Sequence, residues 1–166
     1  MSSSERRLLL AGAFTLASSA LAGCGFKLRG ADTLSFRSIA LTGFAPRSPL
    51  AQELKEALER SVVVESNPAR AELVLQALAD VRERAIVATT AAAQVREVQL
   101  RMKLRWRTQT PAGREVTPPA ELALSRDMSY SESIALAKQH EETDLYREMQ
   151  TDIVAQVLRR LAAIRL

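Results

Sequence analysis

At 166 residues, with 47% hydrophobic and 25% charged side chains, the chain has the length and composition of one globular domain and is too apolar for disorder. The net charge of +4 is a mild excess, and an aromatic content of 4% argues against a single-strand nucleic-acid platform or a sugar-stacking cleft, since both need exposed rings. With one cysteine there is no internal disulfide to form, so the fold must hold by packing alone.

The chain opens on Arg6 and Arg7, continues as an apolar run from Leu8 to Ala20, and closes that run with Leu21-Ala22-Gly23-Cys24. This is a secretory signal of the lipoprotein kind. The run is too short for a membrane-spanning helix, which needs roughly 20 apolar residues. Small side chains at Ala22 and Gly23 suit a peptidase cleft, and the Cys24 thiol is the acceptor for a diacylglycerol, becoming the first residue after cleavage. With N-acylation about three acyl tails result, more than the two signals that stable anchoring requires. Gly25 follows where an aspartate would signal retention at the inner membrane. The expected location is therefore the outer membrane of a double-membraned bacterium, facing the periplasm. Residues 1–23 are read as the signal peptide, 24–33 as a polar, glycine-flanked lipidated tether, and 34–166 as a single domain.

Leu34 to Thr42 holds two alternating apolar pairs, Leu34/Phe36 and Ile39/Leu41, whose phase slips between Arg37 and Ser38, which predicts a strand with a bulge or kink. Gly43 to Arg47 turns the chain. Ser48 is placed as an N-cap with Pro49 at the first helical position, and Leu50, Leu54, Ala57 and Leu58 share one stripe of the helix that follows. Val62 to Val64 suits a short strand ended by Asn67-Pro68. Ala71 to Ala88 stands evenly between two periods: Leu73, Leu75, Ala77, Ala79 and Val81 alternate as in a strand, while the composition suits a helix with Val74, Leu78 and Val81 inward. Thr89 to Ala93 is a small-residue turn.

The next stretch has the clearest period of two in the chain. Val98, Leu100, Met102, Leu104 and Trp106 fall on one face, and Gln99, Arg101, Lys103, Arg105 and Arg107 on the other, which predicts a long half-buried strand. Pro111-Ala112-Gly113 turns into a further strand, Arg114 to Met128, interrupted by Pro118-Pro119, residues that belong at an edge or in a loop. Two long strands joined by a short turn favour a third in Ala71 to Ala88, because an isolated hairpin is marginal. After a polar segment from Ser129 to Ser133, a long helix runs to about Ile164 with Tyr146, Met149, Ile153, Val157, Leu161 and Ile164 inward. The expected fold is α+β: two helices on a mixed sheet of about four strands, in the order strand, helix, three strands, helix.

Arg101, Lys103, Arg105 and Arg107 form a row of cations spanning roughly 20 Å of one strand face. Such a row fits phosphates or carboxylates on a lipid head group or glycan. The commoner meaning of such a pattern is a solvated face whose cations pair with Glu97, Glu115 or Glu121. His140, the lone histidine, lies beside Glu141 and Glu142 without the further ligands a zinc site needs. No serine stands in a Gly-x-Ser-x-Gly setting, and there is no glycine-rich phosphate loop, so the sequence offers no reason to expect an enzyme or a cofactor.

Leu21-Ala22-Gly23-Cys24-Gly25-Phe26-Lys27-Leu28-Arg29-Gly30, Arg126-Asp127-Met128-Ser129-Tyr130, Ala135-Leu136-Ala137-Lys138 and Leu145-Tyr146-Arg147-Glu148-Met149 together resemble the LptE family of lipopolysaccharide-assembly lipoproteins. The resemblance covers nearly the whole chain and implies that Ala71 to Ala88 is a strand. It further implies a plug in the lumen of the LptD outer-membrane β-barrel, with lipopolysaccharide bound through basic residues, one of which matches Lys138. A second family cation, in the turn between the second and third strands, has no counterpart in Thr89-Thr90-Ala91-Ala92-Ala93; Arg82, Arg84 and Arg96 are the nearest substitutes. The alternative expectation is an auxiliary lipoprotein of another envelope lipid-transport system, binding anionic lipid without a barrel partner.

Overall fold

The computed structural model describes residues 34–165. The expected signal peptide (residues 1–23), the expected lipidation residue Cys24 and the expected tether lie outside the described residues. Five strands form one sheet in the order β2-β1-β3-β4-β5, with β1 at Ser38–Thr42, β2 at Val63–Val64, β3 at Leu73–Thr89, β4 at Val95–Gln109 and β5 at Glu115–Ser129. Helix α1 (Pro49–Leu58) follows β1 and helix α2 (Ala135–Ala162) closes the chain. β1 runs parallel to both neighbours, whereas β3, β4 and β5 are antiparallel. The α+β class and the strand character of Ala71 to Ala88 are as expected, and Val63–Val64 supplies a fifth, two-residue strand.

Local chemistry explains most boundaries. Ser48 caps α1 by accepting the Ala51 amide at 3.1 Å, Pro49 occupies the first turn, and Leu50, Leu54 and Leu58 are the buried stripe. α2 buries Tyr146, Met149, Ile153, Val154, Val157 and Leu161; Ile164 is also buried but lies past the helix end. The predicted bulge near Arg37 is not within a strand. β1 starts only at Ser38, and Phe36 enters the core from the irregular segment before it.

Two further expectations are corrected. β5 is not interrupted at Pro118-Pro119: it runs through them as the edge strand, and the pairing with β4 slips between Trp106 and Thr108, so neither proline occupies a paired position. In β3 the alternation does not hold to Val81. Ala77 pairs with Trp106 but Ala79 with Arg105, so Leu78 is an extra residue that reverses the phase. Leu73, Leu75 and Ala77 face the helices, and beyond the bulge Asp80, Arg82, Arg84 and Ile86 take that side opposite Leu104, Met102, Leu100 and Val98. Gly43 sits against this bend at φ 76°, where a Cβ would strike the Ala77 carbonyl oxygen.

The layer between helices and sheet consequently has two parts. Near the start of β3 it is apolar, built from Leu50, Leu54, Leu58, Leu73, Leu75, Trp106, Met149, Ile153 and Leu161. Towards the end of β3 the β4 side stays apolar through Val98, Leu100 and Met102, while the bulge places Asp80, Arg82 and Arg84 of β3 on the helix side beside them.

Candidate functional site

The face of the sheet that carries no helix presents the cation row. Arg101 lies between Glu83 and Ser125 on the flanking strands, Lys103 between Val81 and Ala123, and Arg105 between Ala79 and Glu121, while Arg107 pairs with Gln76 on β3. None of the four forms an ion pair with an acid among the described residues. Arg107 instead donates from Nε to Gln76 Oε1 at 2.9 Å, and Arg101 donates from Nε to Gln99 Oε1 at 2.6 Å. The Gln99 amide in turn donates to Asp127 at 2.9 Å, which orients the Arg101 fork. Lys103 has no acid directly across from it on either side and borders a shallow depression with Arg101, Val81, Ala123 and Ser125.

Lys138 does not join that row. It lies near the start of α2, its side chain 13% exposed, and Nζ donates to Ser129 Oγ at 3.1 Å and to Glu141 at 2.8 Å. The same end of the helix layer gathers the inward arginines. Arg82 stacks over the Tyr146 ring at 3.6 Å, and Arg84 lies 5.3 Å from the Tyr130 ring while its Nε pairs with Glu142 at 3.2 Å. Tyr146 Oη donates to the Glu83 carbonyl at 2.6 Å, and burial pushes its phenol above the ordinary range against the opposing pull of Arg82. Arg82, Arg84, Tyr130, Glu142 and Tyr146 were not legible as a group, because the one-residue bulge that aims both arginines at α2 has no signature in the alternation. The nearest signal was Arg82 and Arg84 themselves, two cations at a spacing of two inside an apolar strand.

The turn between β3 and β4 carries no cation. Thr90 accepts from the Ala93 amide, its amide donates to the Gln94 carbonyl, and Ala93 adopts φ 60°. The β4–β5 turn repeats the scheme with Thr110, Gly113 and Arg114. Among the described residues no group of three His, Cys, Asp or Glu is placed to hold a metal ion, and no helix is long and apolar enough to cross a membrane.

A helix pair on one face of a mixed sheet, with a row of cations on the other face and a seam of partnered charges at one end, defines a small α+β module without an ion-paired core. Its family follows from comparison with known proteins. The model of the LptE family, described as Lipopolysaccharide-assembly, matches residues 36–161, and the chain belongs to that family. Among solved structures it is similar to an uncharacterized lipoprotein B from Nitrosomonas europaea, with 29% identity, a TM-score of 0.71, and coverage of 84% of this chain and 91% of that one. It is also similar in fold to a minor lipoprotein from Acinetobacter baumannii (22% identity, TM-score 0.64, 78% and 93% covered). A third likeness is to the rare lipoprotein B from Shewanella oneidensis (22%, 0.60, 76% and 95%). No curated protein matches the chain.

Proposed function

We propose that the protein is a non-enzymatic lipoprotein of the outer membrane, anchored through Cys24, that sits as plug and assembly partner in an LptD-type β-barrel and binds lipopolysaccharide during its delivery to the cell surface. Membership of the LptE family supports the assembly role, and the lipoprotein descriptions of its structural relatives support the anchor. The observation that carries the barrel partner is the helix-free sheet face. Arg101, Lys103 and Arg105 alternate there with Glu83, Glu121 and Asp127, a mosaic that can dock on the polar lumen of a barrel without burying an unpaired apolar surface. Phosphate oxygens of lipid A are ligands for Lys103, Arg101, Arg105 and Arg107 on that face, or for Lys138 at the end of the helix layer.

Crosslinked pull-down from outer membranes tests the partner: recovery of an LptD-like barrel is expected. Its absence overturns the plug and leaves an auxiliary lipoprotein of another lipid-transport system. For the ligand, Lys103→Gln and Lys138→Gln are each expected to weaken lipopolysaccharide binding about tenfold, equivalent to about 1.4 kcal/mol. Affinity should also fall as salt rises. A residue whose substitution leaves affinity unchanged, with melting behaviour intact, is not in the site.

A further inference from the structure

Ser35 Oγ donates to the Ile164 carbonyl at 2.8 Å, so the start of the domain touches the end of its last helix. Four exposed arginines surround that contact: Arg37 two residues beyond Ser35, Arg165 next to Ile164, and Arg159 and Arg160 in the last turn of α2. None of the four forms an ion pair with an acid among the described residues. Glu72 lies beside Arg37, but its carboxylate accepts the Arg37 backbone amide at 2.8 Å. Arg165 is steadied by the helix end, donating to the Ala162 and Ile164 carbonyls at 3.1 and 3.2 Å.

A helix dipole favours cations in the last turn, which accounts for Arg159 and Arg160 taken alone. It does not account for the sequence on either side. Ile153 to Leu166 holds three arginines and no acid, and Cys24 to Ala31, which leads into this end, holds Lys27 and Arg29 and again no acid. The whole chain is nearly balanced, with 23 cations to 19 acids, so the excess is local. A patch of one sign spread over two chain ends matches an extended anionic surface better than a single counter-ion.

The position of Cys24 selects that surface. Ten residues separate it from Leu34, a reach of at most roughly 35 Å, whereas the start of α2 lies about 42 Å away along the 28 residues of the helix. Acyl tails at Cys24 hold the arginine end near the phosphates of their own leaflet and leave the other end free to swing away. Tethering also raises the effective concentration of those phosphates, so contacts too weak to act alone become occupied. We propose that the end of α2, with Arg37, docks electrostatically on anionic phospholipid head groups beside the anchor and fixes which end of the domain faces the membrane; this rests on the anchor at Cys24 given under the proposed function.

The lipidated protein is purified with a polarity-sensitive fluorophore on Ala163→Cys or, separately, on Ala92→Cys, both exposed positions. It is reconstituted into vesicles of phosphatidylcholine with or without phosphatidylglycerol. Flotation with phosphatidylcholine vesicles reads the anchor alone. The expected docking signal is protection from an aqueous quencher at position 163 but not at 92, only with phosphatidylglycerol, and lost as salt rises. Combining Arg159→Gln, Arg160→Gln and Arg165→Gln should weaken docking about tenfold. Arg159→Gln with Arg160→Gln, which spares the Arg165 contacts, should act in the same direction. Arg47→Gln, Lys55→Gln and Arg147→Gln together make the same change in net charge elsewhere and should leave docking as it was. Flotation without protection at 163 overturns the proposal and leaves the anchor standing; no flotation overturns both. Equal protection at 92 and 163, protection without phosphatidylglycerol, indifference to salt, or equal loss in the two triple variants also overturns it. So does protection by added polyglutamate but not by phosphatidylglycerol, which assigns the arginines to an acidic protein. These vesicles hold neither barrel nor lipopolysaccharide, so neither of those proposed partners is tested by the outcome.

Discussion

Ala93 and Gly113 occupy equivalent positions in two turns with the same hydrogen bonds, at φ 60° and 85° respectively, but only one of them is the residue that tolerates the conformation freely. A left-handed conformation costs a residue with a Cβ roughly 1–2 kcal/mol, partly offset by the larger entropy that glycine loses on folding. Ala93→Gly is therefore expected to stabilise the fold by about 0.5–1 kcal/mol, read as a higher denaturant midpoint at unchanged slope. Tyr146 gives a pH-dependent counterpart. Burial raises its folded pKa above the ordinary 10.0, so the neutral phenol is the form the fold prefers. Its contribution is complete below the unfolded value and is lost as pH rises through the higher folded one. Unfolding curves should thus show a loss of stability above about pH 10 that Tyr146→Phe removes, together with a pH-independent cost of about 1 kcal/mol for the hydrogen bond to Glu83.

Leu78 shows how one inserted residue decides what a strand does. Because Leu78 is left out of the pairing, Ala79 and Val81 go to the open face and Arg82 and Arg84 to the helices; were the same sequence paired without the bulge, the alternation set by Leu73, Leu75 and Ala77 would continue and both arginines would face away from Tyr146 and Glu142. Deleting Leu78 alone should therefore leave Ala79 opposite Arg105 and keep both the Arg82–Tyr146 stack and the Arg84–Glu142 pair, whereas deleting Leu78 and Ala79 together should break both and lower the melting temperature by several degrees or more, measured by circular dichroism. The helices were legible because α1 carries its own cap and stripe and α2 keeps a long 3.6-residue period. β4 was legible because every second residue from Val98 to Trp106 is apolar and buried. β3 was legible as a strand but not in its facing beyond Ala77, since its ends obey opposite phases and no turn residue marks the change. β5 misled for a related reason: its prolines look like a break, yet an edge strand can carry them where the pairing slips.

The complete domain separates two kinds of cation that look alike in the sequence. Those on β4 stand in the open without ion pairs, while Lys138, Arg82 and Arg84 are engaged by Glu141, Tyr146 and Glu142 behind an apolar end. No spacing rule distinguishes them, because the difference lies in which side of one sheet each side chain meets. The two margins of that sheet are also unlike its middle. One is the two-residue β2, and the other is β5 with two adjacent residues that lack an amide hydrogen. Neither margin offers an uninterrupted template for recruiting a foreign strand. A molecule trimmed in this way can sit among chains still seeking neighbours without being stitched into them or polymerising with its own copies. Replacing Pro118 and Pro119 with threonine would undo that restraint, and concentrated solutions of the variant should grow oligomers by light scattering that the parent does not.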